Sequence, residues 1–177
     1  MAVMTIAEFL AREIDKQIVG SNAEKYHQKF IEISESSGVE DKSVDDREVR
    51  ELISRHKTFA FTPMLFNIYW AIYRGLKIGW KVWFIQFAFG IASLFLILST
   101  TGDIDSYNFL DWIRFFLLFV FFVFFAMHNF GLVFKKTLSE YEKYGESFRK
   151  TTKLGEAFVA LALDISVPIL IFVGATI

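Results

Sequence analysis

Two long runs of uncharged residues constrain the fold of this chain more than any other feature. Residues 82–101 and residues 115–134 contain no Asp, Glu, Lys or Arg, and both runs are rich in Phe, Leu, Ile and Val. A helix of about 20 apolar residues is long enough to cross the roughly 30 Å hydrocarbon core of a bilayer. We therefore expect an all-α integral membrane protein.

The composition supports this expectation and excludes several classes of function. Hydrophobic residues make up 54% of the chain, and 22 of its 177 residues are Phe. There is no basic patch large enough to suggest a nucleic-acid partner. The chain has no Cys, its three His are widely spaced, and no phosphate-binding glycine loop or hydrolase motif occurs. We predict no metal site, no cofactor and no enzymatic activity.

Three membrane spans are predicted, at about residues 81–100, 109–134 and 157–177, with a cytoplasmic loop at 135–156. The helical pattern of the second span continues past the apolar run as far as Gly145. The third span contains Asp164 and Pro168, and a central Asp opposes insertion by roughly 2.5 to 3.5 kcal/mol. Its twelve Leu, Ile, Val or Phe residues favour insertion by roughly 4 to 7 kcal/mol. The balance predicts that it spans.

Residues 58–78 allow two interpretations. Thr62 followed by Pro63 is a typical helix start, but the helix that follows is short for a span. Asn67, Arg74 and Lys77 fall on one polar stripe, and Trp70 and Tyr73 are residue types enriched at membrane interfaces. We expect an interfacial helix lying on the membrane. A fourth, short span is the alternative.

Residues 1–57 form the most polar part of the chain, with nine Lys or Arg and twelve Asp or Glu, a net charge of −3. Their periodicity predicts three short amphipathic helices. Thr5 and Glu8 match a capping box, Gly20 is a helix stop, and Asp45 or Asp46 begins the last helix. Fewer than sixty residues make a marginal core, so this module is expected to pack on the membrane part or on a partner.

Basic residues predict the orientation. The turn at 101–108 has no Lys or Arg, whereas residues 74–81 carry three and residues 135–156 carry six. The positive-inside rule then places the N-terminal module and the 135–156 loop in the cytoplasm, with the C-terminus external. A fourth span would place the module outside instead.

Asp164 is the polar residue whose position most suggests a function. It lies about 10 Å from the cytoplasmic end of its span, and His128 and Asn129 lie at a similar depth on the antiparallel second span. An intramembrane contact between these residues is therefore predicted. It could be a proton-responsive or ion-binding pair, or a structural contact between helices.

The stretch Phe61–Arg74 resembles the signature of a family of small bacterial inner-membrane proteins of unknown function. In that family an aromatic-rich segment leads into a Trp-x-x-Tyr-Arg-like motif before the spans, here Trp70, Tyr73 and Arg74. Asn129–Lys136 is similar, less closely, to a later stretch of the family. The resemblance implies a bacterial inner-membrane location and adds no activity.

Two functional hypotheses follow. The first is a non-enzymatic subunit or accessory protein of a larger bacterial envelope assembly, in contact with membrane lipid and with other membrane or cytoplasmic protein subunits. The second is an oligomeric transporter or channel component that uses Asp164 and His128.

Overall fold

The computed structural model describes residues 4–99 and 104–176, and every regular element in these two ranges is a helix. A single isolated antiparallel bridge joins Thr5 and Ser43. The helices are α1 (Ile6–Ala11), α2 (Ile14–Val19), α3 (Ala23–Ser37), α4 (Arg47–Ser54), α5 (Phe61–Tyr73), α6 (Lys77–Ser99), α7 (Ile104–Tyr144) and α8 (Leu154–Thr176).

Three helices, α6, α7 and α8, are long and apolar enough to cross a membrane. This confirms the predicted all-α class with three candidate spans. Each helix starts a few residues earlier than the sequence predicted, and α8 continues through Pro168. Part of the predicted outer turn, residues 100–103, lies outside the described residues. Helix α7 runs on to Tyr144, and Gly145, with φ +55°, follows in a 3-10 turn, so the predicted extension to this glycine is correct.

Helices α1 to α4, here called the N-terminal module, include one more helix than the sequence predicted. Glu13 adopts a left-handed conformation (φ 55°) and separates α1 from α2. The capping box forms as expected: the Glu8 amide donates to Thr5 Oγ1 at 3.2 Å, and the Thr5 amide donates to Glu8 Oε2 at 2.9 Å. Asp46 caps α4 by accepting from two backbone amides. Local sequence therefore accounts for the starts of α1 and α4.

The module packs against the C-terminal half of α7, both inside the apolar run and beyond it. Phe30 stacks on Phe134 with ring centroids 4.5 Å apart. The ring centroids of Tyr26 and Phe130 are 5.0 Å apart, and those of Phe9 and Tyr141 are 5.2 Å apart. These α7 positions are spaced by four and seven residues, so they form one helical face. The small module thus obtains a larger apolar core by sharing it with α7.

The backbones of α4 and α7 approach closely at Gly131. A Cβ atom built on Gly131 would lie 2.4 Å from the carbonyl oxygen of Ile53, which is far closer than van der Waals contact. Gly155, near the start of α8, has no heavy atom within 4 Å of the corresponding position. Of these two glycines, only Gly131 is required by the close packing of α4 on α7.

We predict that Gly131→Ala destabilises the protein by about 1–3 kcal/mol, because α4 must move away from α7. Gly155→Ala should be neutral or slightly stabilising, since alanine favours helix over glycine. The measurement is the thermal unfolding midpoint of the detergent-solubilised protein, followed by circular dichroism. Equal midpoints for the two variants would contradict the close approach of α4 to α7.

A buried acid–base pair lies inside the module. Asp15 is fully buried, and His27 Nδ1 lies 2.9 Å from its Oδ2 atom. Burial raises the pKa of Asp15 above its usual value, and the hydrogen bond from His27 opposes that rise. The folded state therefore binds the Asp15 proton more tightly than the unfolded state does.

This shift fixes the sign of a pH effect. The free energy of unfolding should decrease as pH rises from about 3.9, the unfolded pKa of Asp, through the higher folded pKa of Asp15. In Asp15→Asn this part of the decrease should be absent. Chemical unfolding at a series of pH values above 4 measures the difference. Parallel pH profiles for the two proteins would show that Asp15 does not titrate as described.

Helix α5 enters and leaves the bundle from the side of the module. Its preceding segment pairs with α7, the Thr58 amide donating to Met127 O at 2.7 Å. At Asn67 the backbone leaves helical geometry (φ 40°, ψ −111°), and Asn67 Nδ2 donates to Leu118 O at 3.3 Å. The chain then returns to the module, where Tyr73 Oη lies 2.7 Å from Ser21 Oγ.

The contacts of α5 with α7 show how far α5 extends from the module. Leu118 lies twelve residues, or about 18 Å, from Phe130, which contacts the module. The chain thus runs along α7, turns back at Asn67 and returns to the module, and we call this path the re-entrant segment. Helix α5 has 13 residues and is not among the three described helices that are long and apolar enough to cross a membrane. The predicted polar stripe does not run along one helix, because the backbone breaks at Asn67 and Lys77 already belongs to α6.

Candidate functional site

Asp164 joins three helices inside the bundle. Its Oδ2 atom accepts hydrogen bonds from the Tyr69 hydroxyl of α5 and from Trp83 Nε1 of α6, the latter at 2.9 Å. Both donors are large aromatic side chains whose polar tips need an acceptor in an apolar setting. Asp164 on α8 thereby ties the re-entrant helix to two spans.

His128 and Asn129 have other neighbours. The His128 ring lies 5.0 Å from that of Phe124. Asn129 Nδ2 donates to Thr58 O and to Ala126 O, both at 2.9 Å, so it holds the chain where it enters α5. The structure therefore brings Asp164 together with Tyr69 and Trp83, and it records no hydrogen bond between Asp164 and His128 among the described residues.

A double-mutant cycle tests the Asp164 contact. Tyr69→Phe removes a hydrogen bond to a carboxylate and should lower stability by about 1.5–3 kcal/mol. In an Asp164→Leu background the same substitution should have almost no effect. Tyr73→Phe is the matched control, since its hydroxyl contacts Ser21, and its effect should be the same in both backgrounds. Additive effects of Tyr69→Phe and Asp164→Leu would disprove the contact.

A cavity of about 660 Å³ lies between α3, α5, α7 and α8, a volume within the range of ligand pockets in proteins. The lining residues of the module, together with Tyr73 and Arg74 at the end of α5, form what we call the polar end. What we call the apolar end is formed by Leu65 and Phe66 of α5 and by Leu154, Ala157, Phe158 and Leu161 of α8. The lining residues of the whole cavity are Ser21, Asn22, Lys25, Tyr26, Ala60, Thr62, Pro63, Leu65, Phe66, Tyr69, Trp70, Tyr73, Arg74, Asn129, Phe130, Leu154, Ala157, Phe158 and Leu161.

Exposed side chains of α5 and α8 line the apolar end of the cavity. Leu154, Phe158 and Leu161 recur at spacings of four and three residues and form one face of α8. Phe158 is 61% exposed, and Phe66 of α5 is 58% exposed. The apolar end is therefore accessible at the surface of the bundle.

Arg74 forms the charged part of the polar end. It is only 3% exposed, yet its guanidinium contacts no carboxylate among the described ion pairs. Its Nη atoms donate to Val19 O and Ser21 O at 3.3–3.4 Å, and Cζ lies 4.4 Å from the centre of the Tyr26 ring. The Tyr73 ring lies on the guanidinium as well, with its centre 5.2 Å from Cζ. A buried cation that is held by carbonyl oxygens and ring faces, with no carboxylate, is incompletely compensated.

Two buried polar atoms at the cavity have no hydrogen-bond partner: Arg74 Nε and Asn129 Oδ1. Native proteins leave few such atoms unpaired, and a bound ligand could pair with both. Burial raises the pKa of the neighbouring Tyr26 hydroxyl, an effect that the charge of Arg74 opposes, so this hydroxyl stays protonated at neutral pH and can donate.

The titratable side chains that line the cavity are those of Arg74, Lys25 and three tyrosines, with no Asp, Glu or His among the lining residues. The lining therefore offers cationic and hydroxyl groups to a ligand and no carboxylate or imidazole. Among the residues that the structure describes, no group of three or more His, Asp or Glu is placed to hold a metal ion.

Sequence reasoning found only part of this site. It selected Trp70, Tyr73, Arg74 and Asn129, but it assigned the first three to a membrane surface and Asn129 to a contact with Asp164. It missed Lys25 and Tyr26, which lie in the module nearly fifty residues before Arg74. The one available signal was the absence of an acidic residue within helical reach of Arg74.

Comparison of the chain with protein-family models, with curated proteins and with solved structures finds no match.

Proposed function

We propose that this chain is a non-enzymatic accessory protein of a bacterial inner membrane, and that its working part is the cavity, which holds an amphiphilic ligand. The observation that carries the proposal is that one cavity is lined both by Arg74, a buried and incompletely compensated cation, and by exposed apolar side chains of α5 and α8. An amphiphile matches both ends, because its apolar part leaves water while its polar part meets the cation.

The role as a subunit of a larger envelope assembly rests on the module. The module shares its core with α7, which fixes it to a candidate membrane helix. A ligand that binds in the cavity would therefore also affect a partner that is bound to the module. The partners we propose are other membrane or cytoplasmic protein subunits. Basic residues at 74–81 and 135–156 support a cytoplasmic module and an external C-terminus.

The similarity of Phe61–Arg74 to the family of small bacterial membrane proteins acquires a structural meaning in this proposal. Trp70, Tyr73 and Arg74 of the motif all line the cavity. The motif residues would then serve two purposes: they would form part of a binding site, and they would belong to the re-entrant segment. We propose membership of that family on this basis.

The transporter or channel alternative receives less support. It depended on Asp164 and His128 acting together, and they contact different residues. Asp164 already accepts two hydrogen bonds, an arrangement typical of a structural contact between helices.

The proposal predicts that the purified protein retains an amphiphile. Ala157→Phe should fill the apolar end of the cavity and reduce retention severalfold, since Ala157 lines it. Ala162→Phe is the matched control, because Ala162 is an exposed position of the same helix and does not line the cavity. Native mass spectrometry after extraction in mild detergent measures the bound mass. Absence of a bound amphiphile, or equal retention by both variants, would refute the proposal.

A further inference from the structure

We infer that the ligand of the cavity is an anionic membrane lipid, whose phosphate group lies at Arg74 and Lys25 and whose acyl chain lies between α5 and α8. This inference rests on the proposed function and adds the chemical class and orientation of the ligand. The lipid comes from the leaflet on the side of the module, because the polar end of the cavity is formed by module residues.

The positive charge at the polar end has three sources. Arg74 is buried there, and its Nε atom is an unused donor. Lys25 is exposed, lines the same end, and belongs to no described ion pair. The third source is the N-terminus of α3: Asn22, its first flanking residue, lines the cavity and makes no side-chain cap, which leaves first-turn amides available to an anion.

The electrostatic balance selects an anion over a neutral or cationic headgroup. A cation removed from water is stable only when an opposite charge or several good acceptors replace the lost hydration. The carbonyl oxygens of Val19 and Ser21 and the Tyr26 ring replace it in part. A phosphate accepts from Arg and Lys together through charge-assisted hydrogen bonds, which are stronger than those to a carbonyl.

The apolar end explains why the anion should carry a chain. Phe66, Phe158 and Leu161 present aromatic and aliphatic surface toward the cavity and remain largely exposed. Burying the methylene groups of a chain against such walls is favourable because it removes apolar surface from water. A lipid whose chain is already in the bilayer gains less free energy from this burial. Its chain, however, already lies at the depth of the apolar end. Free phosphate would leave this surface unoccupied.

The test measures headgroup preference in nanodiscs that contain equal amounts of phosphatidylglycerol and phosphatidylcholine with identical chains. The lipids retained by the full chain after release into detergent are counted by native mass spectrometry. We expect retention to favour phosphatidylglycerol, and each of Arg74→Gln and Lys25→Gln to reduce the preference about fivefold. Lys42→Gln removes an exposed charge of the module that does not line the cavity, and it should leave the preference unchanged.

Arg74 also holds the carbonyl oxygens of Val19 and Ser21, so Arg74→Gln can affect folding. Two further variants keep the test decisive. Lys25→Gln alters an exposed side chain and should preserve the unfolding midpoint. Arg74→Lys keeps the charge and should restore part of the preference, which a purely structural role of Arg74 does not predict.

Each outcome decides a different point. Preference for phosphatidylglycerol that is lost in Lys25→Gln and kept in Lys42→Gln supports the inference. Equal retention of both lipids, abolished by Ala157→Phe, overturns the anionic assignment and leaves the proposed function in place. Retention of neither lipid refutes both. If inorganic phosphate alone displaces the anionic lipid at millimolar concentration, the lipid source is overturned and the site binds free phosphate.

Discussion

The packing of the N-terminal module on α7 is the contact on which the other features of this structure depend. Helix α7 has 41 residues, about 60 Å, of which only part is needed to cross a bilayer. The C-terminal half of the helix carries the Phe130 and Phe134 side chains, which contact Tyr26 and Phe30. A module too small to hold a large core by itself is thereby fixed relative to the spans. Its position then determines the polar end of the cavity.

The re-entrant segment is stabilised by the same helix. A backbone that turns inside a membrane protein must find internal hydrogen-bond partners, because lipid supplies none. Here α7 provides them: Met127 O and Ala126 O accept from Thr58 and Ala60, and Leu118 O accepts from the Asn67 side chain at the turn. Asp164 completes the arrangement from the other side by accepting from Tyr69. The segment is therefore held along both of its halves.

The cavity results from joining these two parts. The module contributes cationic and hydroxyl groups near Arg74, and α5 and α8 contribute exposed apolar side chains. Neither part alone would recognise an amphiphile. Arg74 lies at the junction, where it contacts module carbonyls and a module ring while belonging to the end of the re-entrant segment. A ligand bound there would touch the module and the bundle at once.

The sequence alone determined the local and periodic features of this protein. Three spans, the continuation of α7 to Gly145, the Thr5–Glu8 capping box and the Asp46 cap all depend on neighbouring residues or on helical repeat, which a sequence displays directly. The all-α class and most of the long helices were thus predictable from the sequence. The re-entrant path was not, because residues 58–78 have the same apolar content whether they lie on a membrane, cross it or turn within it. The number of module helices also changed, since nothing near Glu13 marks its left-handed conformation.

Only the tertiary structure decided which polar groups meet. Distance from a helix end gives depth but not rotation, so Asp164 was matched with His128 at equal depth although its described hydrogen bonds come from Tyr69 and Trp83. The cavity was harder still to predict from the sequence, because Lys25, Arg74 and Phe158, which line it together, lie far apart in the chain. Long uncharged runs specify that helices enter a bilayer, since burial in lipid depends on composition. Which side chains face one another depends on packing between helices, which composition leaves undetermined.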